Sequence, residues 1–266
     1  MNHFAFSTRT FVCSAAAVAI ATMIAGSSPA QAAETGTLRM VFKYDGDAPK
    51  FPAVKPTRDE AFCGLKEIPE ESLVVNPDSK GIKDVVIWVK EGRRSKLPKQ
   101  KLEAKTHVLA NEACRFEPHV VLAAVGDTIK VTNPDQVGHN AKFNGFNLTE
   151  NPAIPAGGEV DIAVEDEEPS VISVECNIHP WMQARVLIVG HRFAAVSDQD
   201  GVIEITGLPV GEELEFQANH QTGTFADNIT IDGKKTSWSR NRFKVEIKPG
   251  LNDLGTIVVP ASEFDN

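Results

Sequence analysis

Positive charge is in short supply in this chain. Its 266 residues carry 27 lysines and arginines against 36 aspartates and glutamates, a formal net charge of -9 at pH 7. An acidic protein repels nucleic acid and anionic lipid and is steered toward basic or locally positive partners. The one concentrated basic stretch, Arg93, Arg94, Lys96, Lys99 and Lys101, has no aromatic side chains interleaved with it. A single-stranded nucleic-acid surface needs them, so the stretch reads as a solvated loop, with a docking patch for an acidic partner as the sharper alternative. Long apolar runs are missing beyond residue 33, which argues against a spanning helix there and for a soluble mature protein. No Cys-x-x-Cys-His is present, which argues against attached haem. Repeats, low-complexity segments and strongly periodic helices are missing too.

What is there begins with a leader. Arg9 precedes an apolar, alanine-rich run from Phe11 to Gly26, and Ser28-Pro29-Ala30-Gln31-Ala32-Ala33 ends in an A-x-A-like cleavage site. That is the pattern of a signal peptide over residues 1–33, so the chain is expected to be exported, to a periplasm or the exterior. The run is shorter than the ~20 apolar residues a membrane anchor needs. Removing Arg9, the leader's only charged side chain, takes the net charge from -9 to -10. Three cysteines follow the leader, Cys63, Cys114 and Cys176. In an oxidising compartment an odd count leaves one thiol outside any intramolecular bridge, and three pairings are open. If Cys176 has another role, Cys63 and Cys114 remain to pair, closing a loop worth roughly 3 to 4 kcal/mol.

From Gly36 onward the pattern is all-β. Leu38, Met40, Phe42 and Tyr44 alternate with more polar neighbours as a half-buried strand does. Val85-Val86-Ile87-Trp88-Val89 is apolar on both faces and reads as a central strand. Ser72 to Val75, Val120 to Leu122, Ile129 and Val131, Val160 and Ile162, and Ile172 to Val174 continue the series. Beyond residue 190 the pattern restarts, with a hairpin about Asp198-Gln199-Asp200-Gly201 and strands near Leu214, Asn228, Phe243 and Gly255.

The chemistry concentrates in Glu175-Cys176-Asn177-Ile178-His179-Pro180-Trp181-Met182. Cys176, His179 and Met182 place a thiolate, an imidazole and a thioether at three-residue intervals. Thiolate and thioether suit reduced copper and imidazole serves both oxidation states; two imidazoles with one thiolate and a weak axial methionine make the blue-copper arrangement. The second imidazole is best supplied by His139, just past the turn-like Asn133-Pro134-Asp135. Ile172, Val174 and Cys176 lie two apart, so the thiol emerges on the core side of a strand end. Taken singly, a Cys-x-x-His pair is weak evidence and Met182 would more often be packing. Four donors in register on β flanks behind a leader are another matter. His107, His119, His191 and His220 show no site spacing; of these only His119, near Cys114, offers even a remote second soft-metal pair.

The loop resembles that of the cupredoxin (blue copper) family, and its Cys-x-x-His-x-x-Met spacing with Pro180 and Trp181 is most similar to the amicyanins, with a plastocyanin-like character. Phe116-Glu117-Pro118, Gly126-Asp127-Thr128-Ile129, Asn133 and His139-Asn140 match the family in order. The resemblance implies a Greek-key β-sandwich, one mononuclear type 1 copper held by His139, Cys176, His179 and Met182, and Asn140 reaching the sulfur through its backbone N–H. It also implies one-electron transfer without a substrate. A redox partner is expected to dock near an exposed His179 and Trp181. The tail, Ser197 to Ile205 with Gly207-Leu208-Pro209-Val210-Gly211, resembles a carboxypeptidase regulatory-like β-sandwich, usually a spacer or interaction unit. The expected division is therefore a cupredoxin-like domain over 34–190 and a smaller β appendage over 191–266. A copper carrier or sensor is the alternative; a multicopper enzyme lacks the further histidine cluster it needs.

Overall fold

In the first strand, Leu38, Met40, Phe42 and Tyr44 are buried and the residues between them are not. That is the alternation of a strand with one face on a core. The computed structural model describes residues 34–92, 97–98 and 101–264, with Met1, His3 and Ala5. The other residues of the expected leader and the basic residues Arg93, Arg94, Lys96 and Lys99 lie outside the described residues.

In chain order the elements are β1 (Thr35–Asp45), a short helix α1 (Glu60–Cys63), β2 (Val86–Val89), β3 (Thr106–Glu112), β4 (Arg115–Glu117), β5 (Val120–Ala124), β6 (Thr128–Thr132), β7 (His139–Asn140), β8 (Lys142–Phe143) and β9 (Ala153–Ile154). They continue with β10 (Glu159–Ala163), β11 (Ile172–Glu175), β12 (Gln183–Val189), β13 (Ala194–Val196), β14 (Val202–Pro209), β15 (Glu213–Asn219), β16 (Ile229–Ile231), β17 (Lys234–Thr236), β18 (Arg242–Glu246) and β19 (Gly250–Pro260). The expected strand at Ser72 to Val75 reduces to an isolated bridge between Val75 and Ile82.

The architecture is all-β, as expected, but the sheets do not divide at residue 190. One sandwich is made by the sheets β10-β6-β3-β4 and β5-β12-β11-β8. Its core holds Leu109, Phe116, Val131, Phe143, Val174 and Val186. The other pairs the sheets β14-β1-β19-β16-β17 and β13-β2-β15-β18. Leu38 is in register with Ile205, Phe42 with Ile257 and Trp88 with Gln217. The expected boundary is thus corrected: the front of the chain builds the interior of the tail's sheets, and the site-bearing sandwich runs from β3 to β12. Alternation tells a strand which face to bury, not which distant strand to pair with.

The two sandwiches meet along β2 and β12, both buried on either side. Ile87 and Val89 point into one core while Val86 and Trp88 meet Leu187 and Val189 in a separate apolar layer. Arg192, where the chain crosses between sandwiches, ion-pairs with the fully buried carboxylate of Asp127 and donates to the carbonyl of Glu103 at 2.8 Å.

Candidate metal centre

Cys176 follows β11 directly. Ile172 and Val174 face the core, and the thiol continues that face at 1% exposure. The turn that follows closes on itself: the Met182 amide donates to the carbonyl of His179 at 2.9 Å, and the Cys176 amide to that of Met182 at 3.2 Å. This compact loop is why three-residue spacing returns an imidazole to the sulfur. On the facing side, the Asn133 side chain donates to the carbonyls of Val137 and Ile154, each at 2.9 Å, pinning the turn that presents His139 on β7.

The donors converge. Nδ1 of His139 lies 2.9 Å from Nδ1 of His179, and Sγ of Cys176 lies 3.8 Å from the same His179 nitrogen. One ligand atom from each of the three residues falls within 4.8 Å of the others, and all three side chains are buried. Met182 is buried in the same apolar cluster as Cys176, with Trp181 against it. Asn140 does reach the sulfur, at 3.4 Å, but through its side-chain oxygen, which also accepts from the Asn177 amide at 2.8 Å.

Two carboxylates complete the site. Nε2 of His139 donates to Asp135 at 3.0 Å and Nε2 of His179 donates to Asp59 at 2.8 Å. A carboxylate at Nε2 favours the tautomer protonated there, so in a neutral ring so held Nδ1 is the nitrogen able to ligate. Burial pushes the His139 pKa down, against its bond to Asp135, which favours the charged ring. Asp135 sits four residues before His139 inside the recognised turn, a signal that could have found it. Asp59 is 120 residues from its partner and had none.

One expectation is overturned. His179 is not an exposed edge; it is 0% exposed, covered by Asp59 and the segment around α1. That segment is tied down by a disulfide between Cys63 and Cys114, with Cα atoms 5.7 Å apart, which leaves Cys176 as the free cysteine among the described residues. The remote Cys114–His119 pair is thereby removed, and His119 instead bonds Gln221 at 2.8 Å. His107 bonds Asp127, and His191 donates to the carbonyl of Val89.

No family model matches the chain, and no curated protein does. Solved structures similar to it include a Cu(I) form of an amicyanin mutant, at 20% identity over 31% of this chain and 81% of that one with a TM-score of 0.28. Another is the purple cupredoxin from Nitrosopumilus maritimus, at 26% identity over 31% of this chain and 98% of that one with a TM-score of 0.27. Among the described residues no helix is long and apolar enough to cross a membrane.

Proposed function

We propose that the chain is an exported one-electron carrier with a single type 1 copper held by His139, Cys176 and His179 and weakly by Met182. The observation that carries this is the meeting of three donors. The two Nδ1 atoms lie 2.9 Å apart while both outer nitrogens are bonded to carboxylates. Ring nitrogens that close share a cation, a proton in the metal-free chain or a metal ion in its place, and the Cys176 sulfur is a third donor toward the same point. Zinc accepts thiolate and imidazole too, but a thioether beside a two-histidine, one-thiolate set suits copper.

When bound, copper supplies the one-electron couple. The chain's residues hold the imidazoles in one tautomer, keep the thiol out of water and leave little room for rearrangement between oxidation states. No substrate is turned over in this reading. A carrier or sensor would use the same donors and release the metal readily; two ligand rings braced by carboxylates and buried favour retention. With His179 covered, the route to a redox partner runs through Trp181, whose ring centroid lies 5.1 Å from that of His179 and which lines a surface cleft of about 230 Å³.

EPR of the copper(II) form tests the assignment. A narrow copper hyperfine splitting, from spin shared with a thiolate sulfur, is expected; the wide splitting of copper bound by nitrogen and oxygen alone would contradict it.

A further inference from the structure

Asp59 occupies the position before the first turn of α1, where an aspartate ordinarily turns its carboxylate onto the amides of its own helix. Here there is no side-chain cap bond. The residue stands in the left-handed region, at φ 46° and ψ 41°, a conformation uncommon outside glycine that aspartate and asparagine tolerate better than most. Its carboxylate points the other way, to Nε2 of His179 at 2.8 Å. The side chain is 43% exposed while the imidazole it holds is 0% exposed, so this hydrogen bond sits at the boundary between solvent and site.

The segment that carries Asp59 is built as a flap. Val54 and Ile68 close its base through an isolated bridge, the Val54 amide donating to the carbonyl of Ile68 at 2.9 Å. Cys63 staples its middle to Cys114, whose carbonyl accepts from the Trp181 indole at 2.9 Å. Beneath it, Ile68 and Phe62 pack with Val137 and Trp181, the neighbours of the two ligand histidines.

We propose that residues 54–68 are a latched cover over the metal site, with Asp59 as latch and as positioning residue for His179. Passage of metal, and of small reagents to Cys176, is then set by how often Asp59 lets go, while the disulfide keeps the flap in place. The metal half of this rests on the copper reading; the cover itself does not.

The test separates the two. In the metal-free full chain, the rate at which Cys176 reacts with 5,5′-dithiobis(2-nitrobenzoate) is measured for the wild type, Asp59→Asn and Asp59→Gly. The thiolate attacks the reagent's disulfide, forming a mixed disulfide and releasing one thionitrobenzoate, so each event is counted by absorbance. Asparagine keeps the shape and tolerates the left-handed backbone, while glycine removes the backbone strain together with the latch. A merely structural aspartate predicts that glycine leaves Cys176 protected. A latch predicts both variants react about 10- to 100-fold faster, the size expected for losing a charge-assisted hydrogen bond, with the urea midpoint lowered by no more than that same loss for asparagine and by less for glycine. Equal rates in all three proteins overturn the cover. The copper(I)-loaded chain is then mixed with bathocuproine disulfonate, and release should quicken by a similar factor in both variants. If the thiol rates separate but the wild type takes up no copper, the copper reading falls and the cover stands.

Discussion

The carboxylate of Asp135 accepts the amides of Ala113 and Cys114, each at 2.8 Å, and Nε2 of His139 at 3.0 Å. Ala113 and Cys114 both have left-handed backbones, with φ of 53° and 59°, so one side chain stabilises the β3–β4 turn and orients His139, a candidate ligand. Asp135→Asn puts an NH₂ group where an acceptor is needed. Copper(I) affinity, read by competition with a chelator, should fall about 10- to 100-fold. An unchanged affinity would show that His139 needs no such brace.

The tail should not fold alone. β1 lies between β14 and β19, and β2 between β13 and β15, so a fragment of residues 191–264 lacks an interior strand from both of its sheets. Its amide NMR spectrum should show the narrow dispersion of an unfolded chain, while the full chain is dispersed. A dispersed, cooperatively melting fragment would restore the boundary at residue 190.

The crossing between sandwiches depends on Asp127. Burial by itself would raise its pKa, but bonds from Arg192, the Ala124 amide, His107 and the Lys105 amide hold it well below the usual carboxylate range. A carboxylate held low in the folded state stabilises above its unfolded pKa of about 3.9 and loses that contribution as pH falls. Asp127→Ala takes the ion-pair partner from Arg192 and the acceptor from the two amides and should cost about 3 kcal/mol by urea denaturation at pH 7. A loss under 1 kcal/mol would mean that the apolar layer alone holds the junction.

His220 sets a second pH dependence. Burial pushes its pKa down to about 4, with His119 and Arg185 nearby acting in the same direction and a bond to the Lys83 backbone opposing them. Its Nδ1 accepts from the amides of Thr222 and Gly223 at 3.3 and 3.2 Å, so the neutral ring is the one that fits. The unfolded histidine binds its proton near pH 6.5. The stabilisation is therefore complete above that pH and declines toward pH 4, by on the order of 3 kcal/mol. His220→Asn, whose side-chain oxygen can accept the same amides, should start less stable at pH 7.5 and lose less on going to pH 5. Parallel slopes for the two proteins would remove His220 as the cause.

Much of the site could be read from the sequence because its information is local. The period-two burial of Leu38 to Tyr44, the double-faced Val85 to Val89 and the three-residue spacing of Cys176, His179 and Met182 follow from backbone geometry within a few residues. His139 was reachable because a turn delivers it. The partners of β1 and β2 were not legible, since Phe42 and Ile257 meet across most of the chain and either sandwich could have used a strand of that pattern. Nor was the burial of His179, because a ligand loop says nothing about what lies over it. The odd cysteine count was the one hint that Cys63 ties a segment near the site.

The copper assignment is tested most directly by titrating the metal-free chain from residue 34 onward with copper(II) and following visible absorption, with Cys176→Ser alongside. An intense thiolate-to-copper band that saturates at one equivalent and is missing in the serine variant is expected. A spectrum without that band, or one the two proteins share, would contradict it.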